Sequence, residues 1–253
     1  MTSAYTFFLI CLGGFLPALL WLWFWLREDK LHPEPRGMIM LTFFAGVLSI
    51  LPVYIAEVYV QDKLMEPGIK AWLIAMQGVI PIFAGLFAFE TIRTILWASV
   101  EEIIKFMSTA LSGLRSKVYD EPIDALVYLI SGGLGFSAAE NSFFLYKVLQ
   151  DEGVLKSMTT GNMRFIGASL LHVLTAGIIG SCLAITFYKR PAIRRLSVVV
   201  GLLIATVLHT FFNLYIIESE GSGIFTVFCI LWLAIILLLV VFEKVKKLTR
   251  SNK

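Results

Sequence analysis

Long apolar stretches, separated by short clusters of charged residues, proline and glycine, make up almost the whole chain. A stretch of about 20 apolar residues can cross the hydrocarbon core of a bilayer as a helix. The pattern predicts eight such helices, at about 6–26, 37–60, 71–89, 94–113, 123–147, 164–188, 195–217 and 223–243. Only residues 90–93 separate the third helix from the fourth, so seven spans fit almost as well.

The composition supports a membrane protein. Of the 253 residues, 58% are hydrophobic and 15% charged, and the mean hydropathy is +0.83, whereas a soluble domain is about half apolar and a quarter charged. We therefore predict an all-α, polytopic membrane protein whose residues 1–253 form a single bundle in the lipid bilayer. The net charge of +3 is too small for a nucleic-acid surface. The three cysteines lie in apolar spans and suggest neither disulfides nor a zinc cluster.

The Lys and Arg distribution predicts the orientation, because these residues are enriched in cytoplasmic loops. The connections after the second, fourth and sixth predicted helices and the C-terminal tail carry more of them than the other connections. Both termini are therefore expected in the cytoplasm, in a multi-pass protein of the cell membrane. The first helix disagrees, because Arg27, Lys30 and Arg36 follow it and no basic residue precedes it. The absence of Lys and Arg from the first ten residues argues against a cleavable signal peptide.

Several ionisable and polar residues fall inside the predicted spans at one depth. Counted along helices of alternating direction, they lie roughly 10–12 Å below the extracytoplasmic surface. Ionisable groups inside a membrane are costly and usually functional. The residues are Glu101 and Glu102 in the fourth predicted helix, Glu140 and Asn141 in the fifth, His172 in the sixth and His209 in the seventh. Lys105 and Asn213 lie one turn from Glu101 and His209 on the same helix faces.

This set of groups suits peptide hydrolysis. The reaction needs a base to activate water, donors for the developing oxyanion and an acid for the leaving amine. Glu101 and Glu102 can divide the roles of base and acid, with Lys105 keeping one of them ionised. His209 and Asn213, one turn apart, could orient or stabilise the tetrahedral intermediate. A zinc site is an open alternative, since two Glu and two His would satisfy the metal: Glu102, Glu140, His172 and His209.

The same residues also have purely structural interpretations. Glu101, Glu102 and Lys105 could form an interhelical ion-pair network, and His209 with Asn213 a packing pair. Glu140 could pair with a neighbouring helix, and His172 could be a satisfied structural histidine. No chemistry is assigned to Asn141, which is expected to be structural, to Glu57 and Glu90 near predicted helix ends, or to His32 in an exposed loop.

The ordered motifs resemble those of the PrsW family of intramembrane proteases. They are Glu101-Glu102-x-x-Lys105, Phe136-x-x-x-Glu140, His172 and His209-x-x-x-Asn213, and the loop from Asp29 to Pro35 also looks like the first loop of that family. The resemblance covers roughly residues 10–220.

The resemblance implies an activity. PrsW proteins are similar to the CAAX prenyl proteases and to the γ-secretase subunit named for anterior-pharynx defects. An endopeptidase is implied that clips membrane-anchored proteins, such as anti-sigma factors, on the extracytoplasmic side. Glu101 or Glu102 would activate water, and His209 with Asn213 would hold the oxyanion.

The CAAX enzymes look glutamate-dependent and metal-free, although such proteins are often labelled metalloproteases. No cofactor is therefore expected, with zinc as the alternative. Two positions differ from the CAAX enzymes. In this chain Lys105 follows the glutamate pair after two intervening residues, whereas the CAAX enzymes have an Arg after three. Glu140 stands where those enzymes have a His. His172 is then a candidate for the second catalytic partner.

Two other functions remain open. A non-catalytic scaffold subunit would use the same polar residues for helix packing. A proton-coupled transporter would also use intramembrane Glu, Lys and His, but its alternating path is not suggested by groups at one depth in a chain without repeats. The connection at about 148–163, with Gly153 and Gly161, is expected to gate substrate entry over the site.

Overall fold

A computed structural model describes residues 4–27, 33–79, 81–154, 156–157, 159, 167–218 and 224–248, and this part of the chain is helical with no strand. The predicted all-α class is confirmed. The helices are α1 (Ala4–Leu26), α2 (Arg36–Leu48), α3 (Ile50–Met65), α4 (Pro67–Val79), a 3₁₀-helix (Pro81–Phe87), α5 (Phe89–Ser112), α6 (Asp124–Glu152), α7 (Ala168–Ile185), α8 (Pro191–Glu218) and α9 (Ile224–Val245).

Proline and glycine set several helix ends. Pro67 and Pro191 are the first residues of α4 and α8, a position where the missing N–H of proline costs nothing. Gly153 ends α6 with a φ of +84°, a conformation that favours glycine. Ser49 separates α2 from α3, and its hydroxyl donates to the carbonyl of Gly46 at 2.6 Å.

Helix α6 is the centre of the bundle and packs against α1, α2 and α7. Its middle is buried all round, as expected for a helix without a lipid-facing side. Small residues let the α2 backbone approach closely: a Cβ on Gly46 or Gly135 would collide with the carbonyl oxygen of Gly132 or Phe43. Such contacts favour helix association in membranes, where the hydrophobic effect between helices is weak.

Five helical segments are long and apolar enough to cross a membrane: Thr6–Leu26, Arg36–Met65, Ala168–Ile185, Pro191–Tyr215 and Phe225–Val245. Helices α5 and α6 are also long enough, with 24 and 29 residues, but carry buried charged groups.

The predicted third span, 71–89, is not confirmed. This region forms α4 and the 3₁₀-helix instead. The 13 residues of α4 reach only about 20 Å, too short for a hydrocarbon core of ~30 Å. The predicted count of eight spans is therefore not confirmed.

Without this span, the start of α1 and the end of α9 no longer lie at the same end of the bundle. The C-terminal ends of α1 and α9 lie together, with the rings of Trp25 and Phe242 5.6 Å apart. Glu34, before α2, accepts a hydrogen bond from Tyr128 near the start of α6. The start of α1 and the end of α9 therefore lie at opposite ends of the bundle, and the expectation that both termini face the cytoplasm is not confirmed.

Basic residues concentrate at the end of the bundle where α1, α5, α7 and α9 end, which we call the basic end. By the positive-inside rule this end is predicted to be cytoplasmic, and the disagreement of the first helix disappears. The described Lys and Arg residues here are Arg27, Arg36, Arg115, Lys117, Lys189, Arg190, Arg194, Arg195, Lys244, Lys246 and Lys247, against Lys63, Lys70, Arg93, Lys147 and Lys156 at the other end.

Candidate active site

Four helices bring five side chains into one hydrogen-bonded chain. On α5, Nζ of Lys105 donates to Oε1 of Glu102 at 2.6 Å. The same oxygen lies 2.7 Å from Nδ1 of His209 on α8. Lys105 also lies 3.0 Å from Nδ1 of His172 on α7, and Nε2 of His172 lies 3.0 Å from Oε2 of Glu140 on α6. Glu102, Lys105, His172 and His209 are all buried.

The donors in this chain determine how His172 is protonated. An ammonium group has donors only, so Nδ1 of His172 accepts the hydrogen bond from Lys105. The ring proton is then on Nε2, which donates to Glu140. His172 thus joins Lys105 to Glu140 as a neutral relay between α5 and α6.

Phe136 supports the chain from α6. Its ring lies 5.1 Å from the Lys105 ammonium and 5.4 Å from the ring of His172, at 67°. A cation near an aromatic ring is attracted to the ring quadrupole. The spacing in Phe136-x-x-x-Glu140 therefore places an aromatic support and a carboxylate one turn apart on one face of α6.

Glu101 lies beside this chain rather than in it. Its Oε2 is 3.8 Å from Nε2 of His209, too far for a direct hydrogen bond. This oxygen is buried and accepts no hydrogen bond from any nitrogen or hydroxyl donor of the described residues. A buried acceptor without a donor is unusual in a folded protein and often marks the place of a water or of a reacting group.

The site lies nearer to the end opposite the basic end. His209 is nine residues before Glu218, where α8 ends, and eighteen after Pro191. Glu140 is twelve residues before the end of α6 and sixteen after its start. Both side chains therefore lie in the half of their helix that is farther from the basic end.

Most of the predicted residues meet in this place. Asn213 does not join them: it is half-buried one turn beyond His209, and no described hydrogen bond connects it with the chain. Asn141 faces another contact, where its Nδ2 donates to the hydroxyls of Ser137 and Ser169 at 3.2 and 3.1 Å, which fits the structural role expected of it. Glu90 forms an ion pair with Arg93 at the start of α5. His32 lies outside the described residues.

The placement of Glu57 near a helix end is wrong. Helix α3 continues to Met65, so Glu57 lies in its interior, with its carboxyl within hydrogen-bonding reach of Glu101. The predicted span ended at residue 60, which made Glu57 look terminal. The available signal in the sequence was the spacing. Glu57 follows the apolar Val53 by four residues and precedes the apolar Leu64 by seven, which places all three on one face of the helix.

The proposed zinc ligands do not form a metal site in this arrangement. Among the described residues, no three His, Cys, Asp or Glu side chains come together so that they could hold a metal ion. The reason is Lys105, whose positive charge lies between Glu102 and His172 and engages both. The residues present therefore do not fit a metal as they stand.

The fold and site define a helical membrane protein with a buried chain of carboxylate, ammonium and imidazole groups. The profile of one family, described as "PrsW family intramembrane metalloprotease", matches residues 34–241. The chain belongs to this family, and the resemblance drawn from the motifs is confirmed.

Two curated proteins are similar to it. The Protease PrsW of Geobacillus kaustophilus (strain HTA426) is 25% identical over 135 residues, which is 53% of this chain and 50% of that protein. The Protease PrsW of Bacillus subtilis (strain 168) is 26% identical over 138 residues, 54% of each. The match thus spans about half the length of these relatives. No solved structure matches the chain.

Proposed function

We propose that this protein is an intramembrane endopeptidase that hydrolyses a peptide bond in a membrane-anchored protein near the extracytoplasmic face. The observation that carries the proposal is the donor-free Oε2 of Glu101 beside Nε2 of His209. The family membership and the names of the relatives support the same class of reaction.

Glu101 is the base in this mechanism. Its partnerless oxygen can accept a proton from water, which then attacks the scissile carbonyl carbon. Glu102 is less suited to this step, because its Oε1 is engaged by Lys105 and His209. Proton transfer by a positioned side chain contributes about 10²–10⁴-fold to a rate.

His209 holds the oxyanion. With Nδ1–H donated to Glu102, a protonated ring presents Nε2–H towards the reacting carbonyl oxygen, and the Glu102 carboxylate stabilises the positive charge on the imidazole. Asn213, one turn along α8, is proposed as a second donor once the substrate is bound. When the C–N bond breaks, Glu101 returns the water proton to the leaving amine, so protons balance.

Lys105, His172 and Glu140 keep this arrangement in place. Lys105 holds Glu102, and His172 fixes Lys105 against α6 through Glu140. The mechanism needs no metal, and the engagement of the candidate ligands with one another supports a glutamic-type hydrolysis. A metal-dependent version remains the alternative to test.

The substrate is proposed to be a single-span protein, such as an anti-sigma factor. The site lies closer to the end with few basic residues, which the charge distribution predicts to be extracytoplasmic. The gate predicted at 148–163 is revised in extent, because residues 148–152 belong to α6; Gly161 lies outside the described residues.

A scaffold subunit is the competing function. A closed hydrogen-bonded chain between helices would serve packing equally well, whereas hydrolysis gives a use to the buried Glu101 oxygen that lacks a donor. Glu102→Gln separates the two: a protease loses cleavage while the protein stays folded, whereas a scaffold loses assembly with its partners.

The direct test is cleavage in liposomes that contain the purified protein and one of several single-span anti-sigma factors. The wild type is expected to cut at least one, and Glu101→Gln to reduce the rate ~100-fold or more. Glu90→Gln is the matched control, because it removes a carboxylate from the same helix away from the site. Cleavage by Glu101→Gln at the wild-type rate would refute Glu101 as the base, and no cleavage of any candidate by the wild type would count against proteolysis.

A further inference from the structure

Helix α3 has one inward face that reaches the site. Val53 and Leu64 are buried on this face, with exposed fractions of 2% and 5%. Glu57 lies between them, half-buried, and Gln61 follows one turn later with a buried, partnerless Oε1. Helix α3 packs against α5, so the polar part of its inward face meets the glutamates of α5.

The Glu57 carboxyl lies within hydrogen-bonding reach of Glu101, and the charge of Glu140 is close enough to act on it. Two ionised carboxylates have acceptors only and repel each other. A hydrogen bond between these two groups therefore requires a proton on one of them. Lys105 on α5 and His209 on α8 both donate hydrogen bonds to Glu102 rather than to Glu101. Among these groups, the Glu57 carboxyl on α3 is therefore the donor available to Glu101.

We propose that Glu57 is a positioning residue of this site, whose protonated carboxyl donates a hydrogen bond to Glu101 and holds that carboxylate towards Nε2 of His209. This inference rests on the proposed function, in which Glu101 receives the water proton.

This hydrogen bond fixes the position of Glu101, the base of the proposed mechanism. Without a donor, the Glu101 side chain is free to rotate away from His209, and displacement of a reacting group by about 1 Å can cost ~100-fold in rate. A glutamine at position 57 would supply an amide N–H in place of the carboxyl O–H. A leucine would fill a similar volume without a donor.

The kinetic test compares Glu57→Leu, Glu57→Gln and the control Asp62→Asn, which removes an exposed carboxylate from the same helix. Glu57→Leu is expected to lower kcat about 10-fold or more with KM within about twofold. Glu57→Gln is expected to regain most of kcat, and Asp62→Asn to match the wild type. Equal kcat in Glu57→Leu and the wild type, or equal loss in the Leu and Gln variants, would overturn the proposal.

An infrared measurement tests the hydrogen bond without any substrate. The wild type in lipid at neutral pH is expected to show the C=O stretch of a protonated carboxyl that Glu57→Gln loses and Asp62→Asn retains. If this band is lost as expected but the wild type cleaves nothing, the hydrogen bond stands and the proposed function fails. If the band persists in Glu57→Gln, the role of Glu57 is refuted whatever the proteolytic result.

Discussion

Nζ of Lys105 lies 3.0 Å from Nδ1 of His172, and this contact joins two pairs that would otherwise be separate. On one side Lys105 holds Glu102, and on the other His172 holds Glu140. The contact therefore couples the carboxylate of α5 to the carboxylate of α6 through a single ammonium group.

The first prediction concerns the tautomer of His172. Nitrogen NMR of ring-labelled protein should show His172 protonated at Nε2 alone, because Nδ1 accepts from Lys105. Lys105→Met should weaken this preference without abolishing it, since Nδ1 then loses its donor while Nε2 still donates to Glu140. Assignment of the signal rests on its loss in His172→Gln. A ring protonated at Nδ1 in the wild type would contradict the arrangement.

Lys105 should also be important for stability. Removing one partner of a buried ion pair leaves an uncompensated charge and costs about 3–5 kcal/mol, so Lys105→Met should lower the free energy of unfolding in mixed micelles by that order. Lys63, which pairs with Glu66 while about half exposed, is the control: Lys63→Met should cost ~0–1 kcal/mol. Equal effects of the two variants would show that the buried pair has no special role.

Close packing between α2 and α6 should make the glycine at position 135 hard to replace. Gly135→Ala places a methyl group against the carbonyl of Phe43, and relief by backbone movement should cost roughly 1–3 kcal/mol. Gly78→Ala in α4 meets nothing within 4 Å and should leave the stability unchanged or slightly raise it. Thermal unfolding in detergent compares the two; an unchanged midpoint in Gly135→Ala would argue against the contact.

The orientation is tested by labelling single cysteines in cells, after replacement of Cys11, Cys182 and Cys229 by serine. A cysteine at Lys70 should react with an impermeant maleimide from outside, and a cysteine at Lys117 only after permeabilisation. The reason is the concentration of Lys and Arg at the basic end of the bundle. The reverse pattern would invert the topology.

Metal removal separates the two forms of the proposed protease. Treatment with a chelator followed by dialysis should leave the cleavage rate within about twofold, because Lys105 already supplies the positive charge between the candidate ligands. Added zinc should not increase the rate. Loss of activity that zinc restores would instead favour the metal-dependent alternative, and would require Lys105 to move.

The sequence alone determined the helical membrane class and the family. Hydrophobic stretches report what lipid requires of a helix, and the cost of burying Glu101, Glu102, Lys105 and His172 made these residues conspicuous. The motif spacing also placed Phe136 and Glu140 on one face of a helix, as the structure has them.

Only the tertiary structure decided the number and direction of the segments and the pairing within the site. Hydropathy could not distinguish a short helix followed by a 3₁₀-helix from a single span at 71–89, because both are apolar. Nor could spacing show that Lys105 contacts His172, that Asn213 stays outside the chain of hydrogen bonds, or that α3 continues far enough to bring Glu57 to Glu101. Those contacts join separate helices, and their geometry depends on how the glycine-rich face of α6 lets the bundle close.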